Sequence, residues 1–496
     1  MSQPASESSP RTGLARDMGL LGLTATGISS MVGAGINVIP FMIQRNVPGI
    51  GPNVLPAYLF AAIPAILAGL AYAILASAMP RAGGSYVYAS RGLNPYLGFV
   101  ASFSQWFSLC VAIGVVAYVL VPFLRDIALA AGWTGLGATL ESGPVRLAIS
   151  MGFLWAAVAI NIRGVKPYER VIIPLMFLTF LLGAVVIVAG FLFNQQDFAA
   201  ALNAPIPDVT APPLGLSLLL PASALLFSSF IGFDSIAQAG GEAKNPGRNL
   251  PLAIGISVLS VGLFYMLFTA AVYHAVPWQY IAQESAGRDL TAPGLLGVLL
   301  PPFWTVVIVA GAALALIKDL PAMLLAVSRL MFAWAEDGIF PKTVSRVHPR
   351  FHSPWVALTA SGAMASLGIL GSHLAGDFFL GVDILVTSML VNFLLMSISV
   401  LALPHRNPGL ARHVTVIPAR RLQVPLALLG VLVLVLFLGV HTWKDLTGPA
   451  GAWYFRSTPI WAVVMTLGSI VYVREIRSLR RQGVDVDSRF STLPPE

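Results

Sequence analysis

Gly27-Ile-Ser-Ser-Met-Val-Gly-Ala-Gly-Ile-Asn37, set inside an apolar run near the amino end, decides how the rest of the chain is read. Its flanks suit a helix in lipid, but Ser29, Ser30, Gly33, Gly35 and Asn37 do not suit a plain hydrocarbon-facing one. Glycine weakens a helix, and backbone without its i to i−4 bonds survives at membrane depth only where it lines a cavity or is buried in protein. The stretch therefore reads as a break in a membrane helix. A break exposes carbonyls with a partial negative charge on one side and N–H groups with a partial positive charge on the other, so it can hold both ends of a zwitterion. The plainer reading is a small-residue face for close helix packing, and Gly33-Ala-Gly35 alone does not separate the two.

The surroundings are those of a polytopic membrane protein. Of 496 residues, 57% are hydrophobic and 10% charged, with a mean hydropathy of +0.81. Apolar runs long enough to cross a bilayer fall at 18–43, 54–79, 95–124, 144–163, 168–193, 215–240, 250–276, 302–335, 354–371, 379–403, 421–440 and 457–475. The net charge of +8 is no nucleic-acid signal. Its Lys and Arg gather in alternate loops, such as Arg163 to Arg170 and Lys342 to Arg350, which places both termini in the cytoplasm by the positive-inside rule. The expected location is the cytoplasmic (inner) membrane. Residues 1–16 and 476–496 read as cytoplasmic tails, and the lone Cys110 as a small core residue.

A second interruption strengthens the first. Leu226-Phe-Ser-Ser-Phe-Ile-Gly-Phe-Asp-Ser235 again clusters small and polar residues in mid-span, with an ionisable Asp234 among aromatics. Two broken helices five spans apart and running in opposite directions are what an inverted repeat predicts. The repeats are expected at 17–193 and 215–403, with peripheral helices at 421–475. Farther on, Lys318-Asp319 lies in the apolar eighth span, where charge is costly and by default functional. Neighbours on a helix point about 100° apart, so the two need not pair with each other.

Together, Met31-Val-Gly-Ala-Gly-Ile36, Pro80-Arg-Ala-Gly-Gly-Ser-Tyr-Val-Tyr88, Gly232-Phe-Asp234 with Glu242-Ala-Lys-Asn-Pro246, and Ser328-Arg329 with Glu336-Asp-Gly-Ile-Phe-Pro341 resemble the amino acid, polyamine and organocation transporter superfamily over nearly the whole chain. The resemblance implies an all-α protein of twelve transmembrane helices, in a LeuT-type five-plus-five inverted repeat with helices 1 and 6 broken. It implies secondary active transport by alternating access, by proton symport or by exchange, and no enzyme activity. The substrate carboxylate is expected on the N–H groups of Gly33, Ala34 and Gly35, and its ammonium on carbonyls near Met31, Ser228 and Ile231. Phe230 and Phe233 are candidates for pocket and gate, although aromatics in a span commonly just pack. Asp234 stands beside the second break.

The chain departs from the family pattern at three places. Thr179 stands where many members carry a span-five lysine that substitutes for a sodium ion, so coupling is expected to pass to Lys318 or Asp319. Asn37 replaces an apolar residue after the glycines, and Gly241 precedes Glu242 where two acidic residues are common. The expected coupling ion is a proton, with sodium kept open, and neither cofactor nor metal is expected. The expected partners are a small amino acid or amine and the surrounding lipid, with no nucleic acid and no obligatory protein partner. Asp234 and Asp319 keep a polyamine or organic-cation substrate open. A binding-only nutrient sensor is the reading from outside transport.

Overall fold

The computed structural model describes residues 14, 16–203, 205, 210, 213–287, 290–375, 379–448 and 453–494. Residues 1–13 and 15 of the expected amino-terminal tail lie outside the described residues. Backbone in hydrocarbon must satisfy its own hydrogen bonds, so every apolar run resolves as a helix. Among the described residues eleven of these are long and apolar enough to cross a membrane, the first counted across its interruption, and the sixth run holds the shorter apolar helix Leu216–Phe230. Helix starts follow local chemistry. The third span, Pro95–Ala130, opens with proline in its first turn while the Asn94 side chain accepts from Leu97 N–H at 2.9 Å.

Helices outrun their apolar stretches at several ends. The third span continues past 124 to Ala130, the eleventh (Arg420–Thr447) past 440, and the twelfth (Ser457–Arg481) past 475. Hydropathy marks the lipid core, whereas a helix carries on until its caps fail, here through Lys444, Asp445 and Arg477. Leu432 and Leu467 on these last two spans are well exposed, as a lipid-facing surface requires.

Both expected interruptions are present. The first span runs Leu20–Met31, leaves helical geometry at Val32 and Gly33, and resumes over Ala34–Asn46. The sixth runs Leu216–Leu226, tightens into a 3-10 turn over Phe227–Phe230, extends at Ile231 and resumes over Asp234–Gln238. The two breaks touch. Gly232 takes φ +136°, and a Cβ there would sit 2.8 Å from Met31 N and against the Ser30 carbonyl, so only glycine permits the approach. Ser235 Oγ donates to Ser30 Oγ at 3.0 Å across the same contact.

The face of the molecule carrying both described chain ends, here the terminal face, is closed. Met18 N–H donates to Glu242 O at 2.9 Å and Lys244 N–H to Met18 O at 2.8 Å, tying the start of the first span to the end of the sixth. Arg329, from the eighth span Pro302–Glu336, forks onto the Glu242 carboxylate at 2.5 and 2.9 Å with both side chains buried. The motif Pro80 to Tyr88 runs into the buried helix Gly84–Gly92. Its Arg91 forks onto Asp337 at 2.5 and 2.9 Å. Segment 486–494 lies over this seam. Arg91 Nε donates to Thr492 O at 3.0 Å, Arg81 Nε to Pro494 O at 3.2 Å, and Arg489 to Glu336 O at 2.7 Å.

Candidate functional site

A cavity opens where the two breaks meet and extends toward the face opposite the termini. Ser30, Met31, Gly33 and Gly35 of the first span and Ser228, Ile231, Gly232 and Asp234 of the sixth form its polar side. The other side is aliphatic, built by Leu109, Ala112, Val115 and Val116 of the third span and by Met323 and Leu385 of the eighth and tenth. Its volume is about 100 Å³. Since about 10–15 Å³ on that measure holds one water, the space suits on the order of seven to ten heavy atoms.

On the carbonyl side of the first break, three carbonyls are already bonded by two side chains. The Lys318 ammonium, fully buried, donates to Val32 O at 2.5 Å and to Ser29 O at 3.4 Å. Tyr265, from the seventh span Pro246–Ala275, donates its hydroxyl to Met31 O at 2.5 Å. The N–H side meets the opposite charge, because the Asp319 carboxylate packs against Gly33 where a side chain would otherwise stand. Adjacent residues of one helix thus deliver a cation to the carbonyl end of the break and an anion to its amide end. Asp319 is 5% exposed, lines the cavity, and its Oδ1 has no hydrogen-bond partner.

Asp234 has a different setting. Its Oδ1 accepts from Gly232 N–H at 3.1 Å and its Oδ2 from Gln105 of the third span, so the carboxylate holds the second break in shape. Gln105 Oε1 in turn accepts from Ser85 Oγ at 2.5 Å and from Gln238 Nε2 at 3.2 Å, linking the break to the short terminal-face helix.

The remaining expected residues divide. Met31, Gly33, Gly35, Ser228 and Ile231 line the cavity with Asp234 and Asp319. The backbone of Ala34 opens the second half-helix. Phe230 and Phe233 do not line it. Phe230 packs edge-on against Tyr58 at 5.7 Å and Tyr265 at 5.8 Å, and Phe233 stacks on Phe393 at 5.1 Å. The extended Ile231 and left-handed Gly232 between them turn both rings into aromatic clusters. Thr179 donates only to Leu175 O of its own helix, at 2.8 Å, and shares a separate small cavity with Val32 and Asn37. Sequence reasoning missed Gln105 and Tyr265 as supports of the breaks, and missed the third-span wall. A glutamine in an apolar span was the one available signal for Gln105; nothing in the sequence marked which face of the third helix turns inward.

A family model described as "Amino acid permease" matches residues 18–469. A branched-chain amino acid permease of Bacillus subtilis is 32% identical over 241 residues, 46% of this chain and 47% of that protein. That match spans about half the relative's length. A methylthioribose transporter of the same organism is 27% identical over 484 residues, 93% of this chain and 94% of that protein. Cationic amino acid transporter 4 of Mus musculus is 28% identical over 82% of this chain and 63% of its own.

Proposed function

The chain belongs to the amino acid permease family, and from that premise we propose that it carries an aliphatic α-amino acid across the cytoplasmic membrane by alternating access, driven by protons rather than sodium. The supporting observation is the meeting of the two breaks at one cavity. Gly33 N–H already donates to Met31 O at 3.1 Å, so the amide end at Ala34 and Gly35 offers the donors for a carboxylate, and the carbonyls around Ser228 and Ile231 offer acceptors for an ammonium. The opposite wall of Leu, Val, Ala and Met suits a branched hydrocarbon side chain. The terminal face, which carries the basic segment Lys342 to Arg350, is taken as cytoplasmic, so the closed seam there and the cavity's lean to the other side correspond to a state loaded from outside. Lys318 supplies a tethered positive charge on the carbonyls of the first break, a role a bound sodium ion could otherwise fill.

Uptake of labelled L-leucine, L-isoleucine and L-valine into liposomes holding purified protein tests this reading. Accumulation is expected with an inward proton gradient and with choline replacing sodium. No accumulation of any of them under the proton gradient would refute it, and accumulation under a sodium gradient alone would refute its proton drive. A second reading, transport of an organic cation, is favoured by Asp234 and Asp319 on the cavity wall. It predicts putrescine uptake that aliphatic amino acids do not inhibit.

A further inference from the structure

The two charges at the first break are not equally settled. Lys318 is committed to Val32 O and Ser29 O, whereas Asp319 Oδ1 is buried without a donor. Its carboxylate stands against Gly33, at the amide end where the proposed substrate would place its own carboxylate. Two carboxylates sharing one low-dielectric site do not both stay ionised at low cost, and such pairs hold a proton between them.

We infer that Asp319 takes up one proton for each substrate carboxylate that docks on the Ala34 and Gly35 amides beside it, which makes it the residue that couples proton to substrate. This rests on the amino acid reading given above. The proton comes from water on the cavity side and goes onto the Asp319 carboxylate. Its O–H then donates to the incoming carboxylate in place of the repulsion between two anions. When the site opens to the terminal face, the zwitterion leaves, the proton follows, and one net positive charge has crossed.

The surroundings make Asp319 the group with freedom to do this. On its own helix Lys318 keeps its carbonyl partners. From the sixth span Asp234 faces the same cavity, but Gly232 and Gln105 donate to both its oxygens. From the seventh, Tyr265 gives its proton to Met31 O; behind it Tyr58 of the second span packs on Phe230. The third and tenth spans present aliphatic side chains to the cavity, and the fifth presents Thr179 to the neighbouring one.

The test is titration calorimetry of L-leucine binding to the intact purified protein in buffers of different ionisation enthalpy, across pH 5.5 to 8.5, with pyranine-loaded proteoliposomes as a second readout. About one proton is expected to be taken up per leucine at the alkaline end, where affinity falls toward tenfold per pH unit by linkage. Asp319→Asn, a permanently neutral donor, is expected to abolish both the proton uptake on leucine binding and its pH dependence. Accumulation driven by a proton gradient should be lost. Leucine binding without proton uptake in the wild type overturns the inference and leaves the amino acid reading standing; failure of L-leucine, L-isoleucine and L-valine alike to bind overturns both. The wild-type proton count decides even where Asp319→Asn folds poorly. Tighter binding of 3-methylbutylamine than of leucine, strengthening with pH, would make Asp319 an ammonium site and also overturn the inference.

Discussion

At the scale of single residues, Gly232 shows how little space the site tolerates. Its φ of +136° and its backbone approach to Ser30 and Met31 leave no place for a methyl group. Gly232→Ala is expected to cost about 2 kcal/mol or more through a strained backbone and a displaced first break, seen as a lower melting temperature together with loss of leucine uptake. The glycines and serines that marked the breaks were legible because they violate the composition of a lipid-facing helix. The orientations of Phe230 and Phe233 were not, because they depend on the extended turn at Ile231 and on partners as distant in sequence as Tyr58 and Phe393. Asp319 was visible as a costly charge, but its vacant Oδ1 follows only from where Lys318 sends its ammonium.

At the scale of elements, the eighth span acts as the complement of the first. Two successive residues, about 100° apart around the helix, serve the two ends of one break, so the span must hold its rotation to within a fraction of a turn. Lys318→Met removes the donor from Val32 O and Ser29 O. Leaving a buried carbonyl under-bonded costs about 1–3 kcal/mol. The expected outcome is a folded but less stable protein whose leucine uptake is lost, whereas wild-type uptake should be indifferent to replacing sodium by choline; paired uptake assays check both halves. Eleven of the twelve spans read from apolar length are helices long and apolar enough to cross a membrane among the described residues, since the bilayer imposes that length on a crossing, and the broken sixth is shorter. Helix ends were not legible this way, because caps and polar continuations such as Lys444 and Asp445 lie beyond the apolar run.

At the scale of the whole molecule, the alternating access proposed above needs the terminal face to open, and two buried ion pairs lie across it. Arg329 with Glu242 and Arg91 with Asp337 are buried forks that join the sixth span, the short helix Gly84–Gly92 and the end of the eighth span. Removing one partner of such a pair costs about 3–5 kcal/mol in the state that buries it. Asp337→Ala is therefore expected to shift the population toward a form open at that face. Hydrogen exchange over residues 238–244 and 84–92 should quicken while the exposed loops stay unchanged, and equal protection in both proteins would count against these pairs as the closure. Segment 486–494 hangs on the same arginines through the backbone oxygens of Thr492 and Pro494. For anyone purifying the protein, that seam dictates where an affinity tag belongs. A fusion at the carboxyl end would hang its load on the hinge side of the door, and the column would enrich the molecules in which it already stands ajar.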